Sequence, residues 1–217
     1  MRVVYLHGFA SSPESSKARF FGGKFAEAGV AFEAPQLDQG EFSKLTISGQ
    51  MLVVGNAVSA HREKLAKGEP LVLMGSSLGG YLAALYAERH PKAVDRLVLL
   101  APAFGFLQRW RERLSGQKIE QWKREGSIPI YHYGSKTEQR LGYWFLEDAA
   151  QYEAVPDFHQ RALILHGSED TVVPCQASRD FALEHTRVRL ALFESGHELT
   201  DVMEGLWREA SGFLEIH

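Results

Sequence analysis

The sequence predicts an α/β fold: a parallel sheet covered on both faces by helices. Short, almost wholly apolar runs recur along the chain, which is the pattern of strands buried on both sides. Between them lie stretches with apolar residues at helical spacing, and repeated strand–helix units imply parallel neighbours joined by crossover helices. A third observation gives the sheet a functional end. The turns Gly75–Gly79, His166–Asp170 and Glu194–His197 each follow directly on an apolar run, and in doubly wound sheets functional groups gather at the carboxyl ends of the strands.

Taken in order, Arg2–Leu6 reads as the first strand. Ser15–Ala28 reads as a helix, with Ser12-Pro13-Glu14 offering N-cap and first-turn chemistry and Gly29 ending it. Val30–Ala34 is a short strand closed by Pro35. Ile47 to about Ala66 carries Met51, Val54, Val58 and Leu65 at helical spacing, and Gly68 and Pro70 stop it. The run Pro70–Met74 is a buried strand leading into Gly75-Ser76-Ser77-Leu78-Gly79. A helix from Leu78 to His90 follows, broken by Pro91, and then a strand from Val94 to Leu100. The rhythm fails from Ala103 to about Tyr152, a stretch rich in aromatics with helical fragments and a turn at Gly134-Ser135. An inserted helical cap is expected at 103–152. The alternation resumes with strand Arg161–Leu165, helix Gln176–His185, strand Arg187–Phe193 and an amphipathic helix from about Thr200 to Leu214. The expectation is one domain over 1–217 with a six-stranded, mainly parallel sheet.

Bulk properties narrow the function. The chain has 217 residues, enough for one sizeable core, with 45% hydrophobic and 24% charged residues, an ordinary globular mixture. A net charge of -3 without any basic block argues against nucleic acid and acidic membrane surfaces as partners. The single cysteine, Cys175, excludes an internal disulfide and a cysteine-rich metal site. The N-terminus enters a strand at once, and no apolar run approaches the ~20 residues needed to cross a bilayer. A cytoplasmic location and a small-molecule substrate are expected, with no metal and no cofactor.

Ser77 stands at the centre of a G-x-S-x-G turn between strand and helix, the context in which this pattern places a nucleophilic serine. Its hydroxyl needs a base, and the base an orienting acid. His197 and Asp170 follow later strands, and Ser77, Asp170, His197 is the chain order that this turn leads one to expect. Glu169 and Asp201 are the rivals of Asp170. His7 and His166 also stand just past strands, but each is followed by glycine and reads as a turn brace. The developing oxyanion requires two N–H donors; Leu78, next to the nucleophile, supplies one and Phe9, in the loop after the first strand, the other. Lys17 with Ser11-Ser12 reads either as ordinary capping or as an anion site at a helix N-terminus. The cap aromatics could line the site or form the cap's own core, and His132 could face either the substrate or solvent.

The motifs His7-Gly8-Phe9, Gly75-x-Ser77-x-Gly79, His166-Gly167-x-x-Asp170-x-x-Val173-Pro174 and Gly196-His197 resemble those of the α/β-hydrolase superfamily. More narrowly, Tyr5–Pro13 with Ser16-Lys17, and Gly75–Tyr81, resemble the small bacterial YqiA/YcfP-type esterases. The resemblance implies an α/β-hydrolase fold with strand order 2-1-3-4-5-6. It also implies carboxylic-ester hydrolysis by Ser77, His197 and Asp170, without metal or organic cofactor. The same three residues could serve a thioesterase, lactonase or perhydrolase, and a ligand-binding module on this scaffold is the alternative from another class.

Overall fold

The computed structural model describes residues 1–216. Six strands form one parallel sheet: β1 (Arg2–Leu6), β2 (Ala31–Glu33), β3 (Leu71–Ser76), β4 (Arg96–Leu100), β7 (Arg161–Gly167) and β8 (Val188–Phe193), in the order β2-β1-β3-β4-β7-β8. Numbered among themselves the six run 2-1-3-4-5-6, as expected. All five pairings are parallel. The central strands are apolar throughout because both of their faces are covered. Val4 and Leu6 of β1, Leu73 of β3, Leu97 and Leu99 of β4 and Ile164 of β7 point into one core layer. Their alternates Val3, Tyr5, Val72, Met74, Val98, Leu100, Leu163 and Leu165 point into the other, as the two-residue period of a strand requires.

Helices α2 (Ile47–Arg62), α3 (Leu78–Arg89) and α7 (Gln176–Glu184) pack against the first layer. Helices α1 (Ser16–Glu27) and α8 (Met203–Leu214) pack against the second through Phe21, Phe25, Leu206, Ala210 and Leu214. Several ends differ from expectation. Ser15, not Ser12, caps α1, its hydroxyl accepting from the Ala18 amide. Ser12 lies outside the helix and accepts from the Glu14 amide. Helix α2 stops at Arg62, because the chain from Glu63 to Gly68 turns away with little apolar surface to bury.

The segment after β4 contains the helices α4 (Phe106–Arg113), α5 (Gly116–Glu125) and α6 (Trp144–Ala149) of the expected cap. It also contains an antiparallel hairpin, β5 (Ser127–His132) with β6 (Thr137–Gly142), at the turn marked by Gly134-Ser135. These strands are too polar and too exposed to resemble the buried ones in sequence. The hairpin tip docks on the loop after β1: the amide of Tyr133 donates to the carbonyl of Ala10 at 2.7 Å. His132 is buried there, edge-on to Phe42, with Nδ1 accepting from the Ser135 amide, so it is not a surface residue.

Two buried histidines tie this region to pH. Burial pushes the imidazoles of His7 and His132 below their ordinary value, against the opposing pull of Asp38 near both. Unfolding therefore takes up protons. The stability they contribute is complete above about pH 6.5 and falls as pH drops through that value toward their lower folded pKa, by at most about 1.4 kcal/mol per pH unit each. Denaturant unfolding between pH 7.5 and 5 is expected to show this loss, with a shallower slope for His132→Gln. An unchanged slope in that variant would contradict it.

Candidate active site

The loops after β1, β3, β7 and β8 meet at the carboxyl edge of the sheet. The turn after β3 is tight enough to exclude side chains. A Cβ on Gly75 would lie 2.2 Å from the carbonyl oxygen of Gly79, and one on Gly79 would lie 2.1 Å from that of Leu6. Only glycine fits either position. The crowding bends the chain so that Ser77 adopts φ 55° and ψ -116°, a conformation rare for a residue with a Cβ. Its backbone is secured on both sides: its amide donates to Leu100, and its carbonyl accepts from Tyr81 and Ala103. Ala10, Ala101 and Leu199, in the loops after β1, β4 and β8, also have positive φ. With Ser77 these make four of the seven non-glycine residues with positive φ among the described residues.

The three candidate side chains form a hydrogen-bonded chain. The hydroxyl of Ser77 lies 3.0 Å from Nε2 of His197, and Nδ1 of His197 lies 2.7 Å from Oδ2 of Asp170. The other oxygen of Asp170, Oδ1, accepts the amides of Val172 and Val173, each at 2.8 Å. Burial by itself would raise the Asp170 carboxyl, but hydrogen bonds from His166, His197 and the Val173 amide hold it well below the ordinary carboxylate range. The group is an anion and an acceptor only. The rivals are elsewhere: Asp201 accepts the Ser195 hydroxyl, and Glu169 is exposed.

His166 braces its turn as expected, and does more. It is fully buried; Nδ1 accepts from Ser178 Oγ, while Nε2 donates to the Val173 carbonyl at 2.8 Å and stands 3.2 Å from Asp170 Oδ2. The spacing of His166 and Asp170, four residues apart across a turn, is the sequence signal that could have linked them. His7 is also a brace, with Nδ1 donating to the Gly8 carbonyl and Nε2 accepting the Leu37 amide. Lys17 is neither a cap nor an open anion site: it is buried, and its ammonium donates to the carbonyl of Glu198 at 2.7 Å.

The loop after β1 lies against the serine, since a Cβ on Gly8 would sit 3.6 Å from that of Ser77. Among the described residues neither the Phe9 nor the Leu78 amide donates to a protein acceptor. The ring of Phe9 packs on Phe42, Trp110 and Phe145. The cap aromatics are therefore divided. Trp110 and Phe145 gather around Phe9, Trp122 is buried between Trp110 and Tyr143, and Tyr131, Tyr133 and Trp144 are exposed. Two cavities, about 670 Å³ beside Phe158, Phe181 and His185 and about 480 Å³ between Tyr81, Phe106 and Tyr152, include none of the three chain residues. No helix among the described residues is long and apolar enough to cross a membrane.

The sequence profile of the Uncharacterised protein family (UPF0227) matches residues 2–214. The chain belongs to that family. Its fold is that of the α/β hydrolases. It superimposes on Est1E from Butyrivibrio proteoclasticus, solved with ferulic acid bound, with a TM-score of 0.81, 21% identity, and coverage of 99% of this chain and 88% of that one. For α/β hydrolase domain-containing protein 10 from mouse the TM-score is 0.77 at 21% identity, covering 99% and 89%. A structure of the metagenome-derived lipolytic enzymes LipS and LipT gives 0.74 at 20% identity, covering 99% and 93%. Among curated proteins, 2-hydroxymuconate semialdehyde hydrolase from Pseudomonas sp. (strain CF600) is 26% identical over an alignment covering 58% of this chain. The chain spans about half, 54%, of that relative's length.

Proposed function

We propose that this chain is a serine hydrolase that cleaves carboxylic esters of small to medium acyl chain through an acyl-enzyme. The observation that carries this reading is the unbroken hydrogen-bonded chain from Ser77 through His197 to the anionic Asp170. Support comes from relatives and fold neighbours whose names describe hydrolases, an esterase and lipolytic enzymes.

Ser77 Oγ attacks the ester carbonyl carbon while His197 Nε2 takes the hydroxyl proton. Asp170 accepts from Nδ1 and stabilises the imidazolium. The oxyanion of the tetrahedral intermediate rests on the amides of Phe9 and Leu78, each such donor being worth roughly 10²–10³ in rate. His197 returns the proton to the departing alkoxide, and the C–O bond of the ester breaks. A water molecule, deprotonated by His197, then adds to the acyl carbon. Collapse of that second intermediate releases the acid and restores the serine proton. Every proton moves through one imidazole, and no metal or redox partner enters any step. Phe9 and the Trp110–Phe145 aromatics give the acyl group an apolar neighbour.

The test is intact-protein mass spectrometry after exposure to a fluorophosphonate, alongside hydrolysis of p-nitrophenyl acetate, butyrate and octanoate. One adduct at Ser77 with turnover of at least the shorter esters is expected. Neither adduct nor turnover would overturn the reading and leave the ligand-binding alternative.

A further inference from the structure

The loop bearing His197 has little main-chain support. Its main chain is a single turn at His197-Glu198, and among the described residues no main-chain hydrogen bond ties Gly196, His197, Glu198 or Leu199 to another element. Leu199 is buried with φ 55°. Yet an imidazole that must pass protons between two atoms has to be held within a few tenths of an ångström, since a misplacement of 1 Å can cost roughly 10²-fold in rate.

Lys17 supplies a tether from the far end of the sequence. It sits in the first turn of α1, only 8% exposed, with its ammonium 2.7 Å from the Glu198 carbonyl and 3.6 Å from the Glu198 carboxylate. That carboxylate is largely in solvent, so the carbonyl is the well-defined partner. A buried ammonium is costly unless paired and hydrogen-bonded; burial does push this lysine down, with Glu198 and Asp170 drawing it back up. Helix α1 is itself anchored to α8 by Lys24 with Glu204 and by Phe21 against Trp207. The tether therefore starts from a fixed base.

Resting on the serine-hydrolase reading, we propose that Lys17 is a positioning residue for His197. Its ammonium holds the adjacent Glu198 carbonyl and so fixes the loop in which the imidazole faces Ser77 on one side and Asp170 on the other.

Three variants test the tether. Lys17→Met should lower kcat by about 10²-fold with KM changed little. Lys17→Arg and Lys17→Gln should each recover part of kcat, because both side chains can still donate to the Glu198 carbonyl. Melting temperatures report folding in each. Wild-type kcat in Lys17→Met would overturn the proposal, as would losses in all three variants that track melting temperature. The NMR signal of the His197 Nδ1 proton in wild type and Lys17→Met reads the placement of the ring against Asp170 without substrate. If the wild type proved inactive and unlabelled, the hydrolase reading would fall, and an unchanged Nδ1 proton signal in Lys17→Met would be a separate failure of the role given to Lys17.

Discussion

Ser77→Ala is expected to lower kcat by roughly 10⁶, the loss seen when a serine of such a chain is removed, with KM and melting temperature nearly unchanged. The fold should survive because everything that shapes the turn lies in the backbone and the glycines. The amide of residue 77 still donates to Leu100, its carbonyl still accepts from Tyr81 and Ala103, and Gly75 and Gly79 still allow the close approach. Alanine has a Cβ like serine, so the positive-φ strain is the same in both. What disappears is the hydroxyl facing His197 and the covalent route through it. The amides of Phe9 and Leu78 remain, so hydrolysis should stay above the rate in water by roughly 10³–10⁴. The fluorophosphonate adduct should vanish. Turnover within tenfold of wild type would exclude Ser77 as the nucleophile.

The features legible in the sequence were those fixed by local chemistry and by burial on both faces. The strands carrying Tyr5, Met74, Val98 and Leu163 read as apolar runs because helices cover both sides of the sheet, and the glycines around Ser77 marked a turn that admits no side chain. Position just past a strand, together with chain order and the glycines that follow His7 and His166, picked out Asp170 and His197. The less legible features depend on distant partners. The β5–β6 hairpin carries Thr137-Glu138-Gln139-Arg140 on one strand, largely exposed, and a half-solvated strand outside the main sheet has no continuous apolar run to betray it. Lys17 looked like part of a helix start because Ser11-Ser12 and the capping pattern Ser12-Pro13-Glu14 stand just before it, whereas its acceptor is 181 residues away. The contact of His166 with Asp170 is local, four residues apart, and the glycine after His166 drew the reading to a turn brace instead. His132, between two tyrosines, gave no sign that Phe42 and Asp38 would enclose it.

Asp170→Asn is expected to cost roughly 10⁴ in kcat, as the same change does in comparable hydrolases, and the hydrogen bonds here say why. The two main-chain amides of Val172 and Val173 point at Oδ1 and require an acceptor there. An asparagine must therefore place its carbonyl oxygen at that position and its NH₂ where Oδ2 now stands. That NH₂ faces Nδ1 of His197, which can then only accept, so the imidazole proton moves to Nε2. The nitrogen that should take the proton of Ser77 becomes a donor, and no anion remains to stabilise an imidazolium. The same NH₂ opposes the Nε2 proton of His166 at a distance now 3.2 Å. The variant should therefore be less stable at neutral pH. The wild type owes part of its stability to the depressed carboxyl, complete above about pH 4 and lost as pH falls toward the lower folded value. Asp170→Asn should flatten the stability profile in that acid range. Glu169→Gln should alter neither rate nor profile, since its side chain is exposed. If Glu169→Gln proved the more damaging of the two, or if Asp170→Asn kept kcat within tenfold, the proton on His197 would be set by some group other than Asp170.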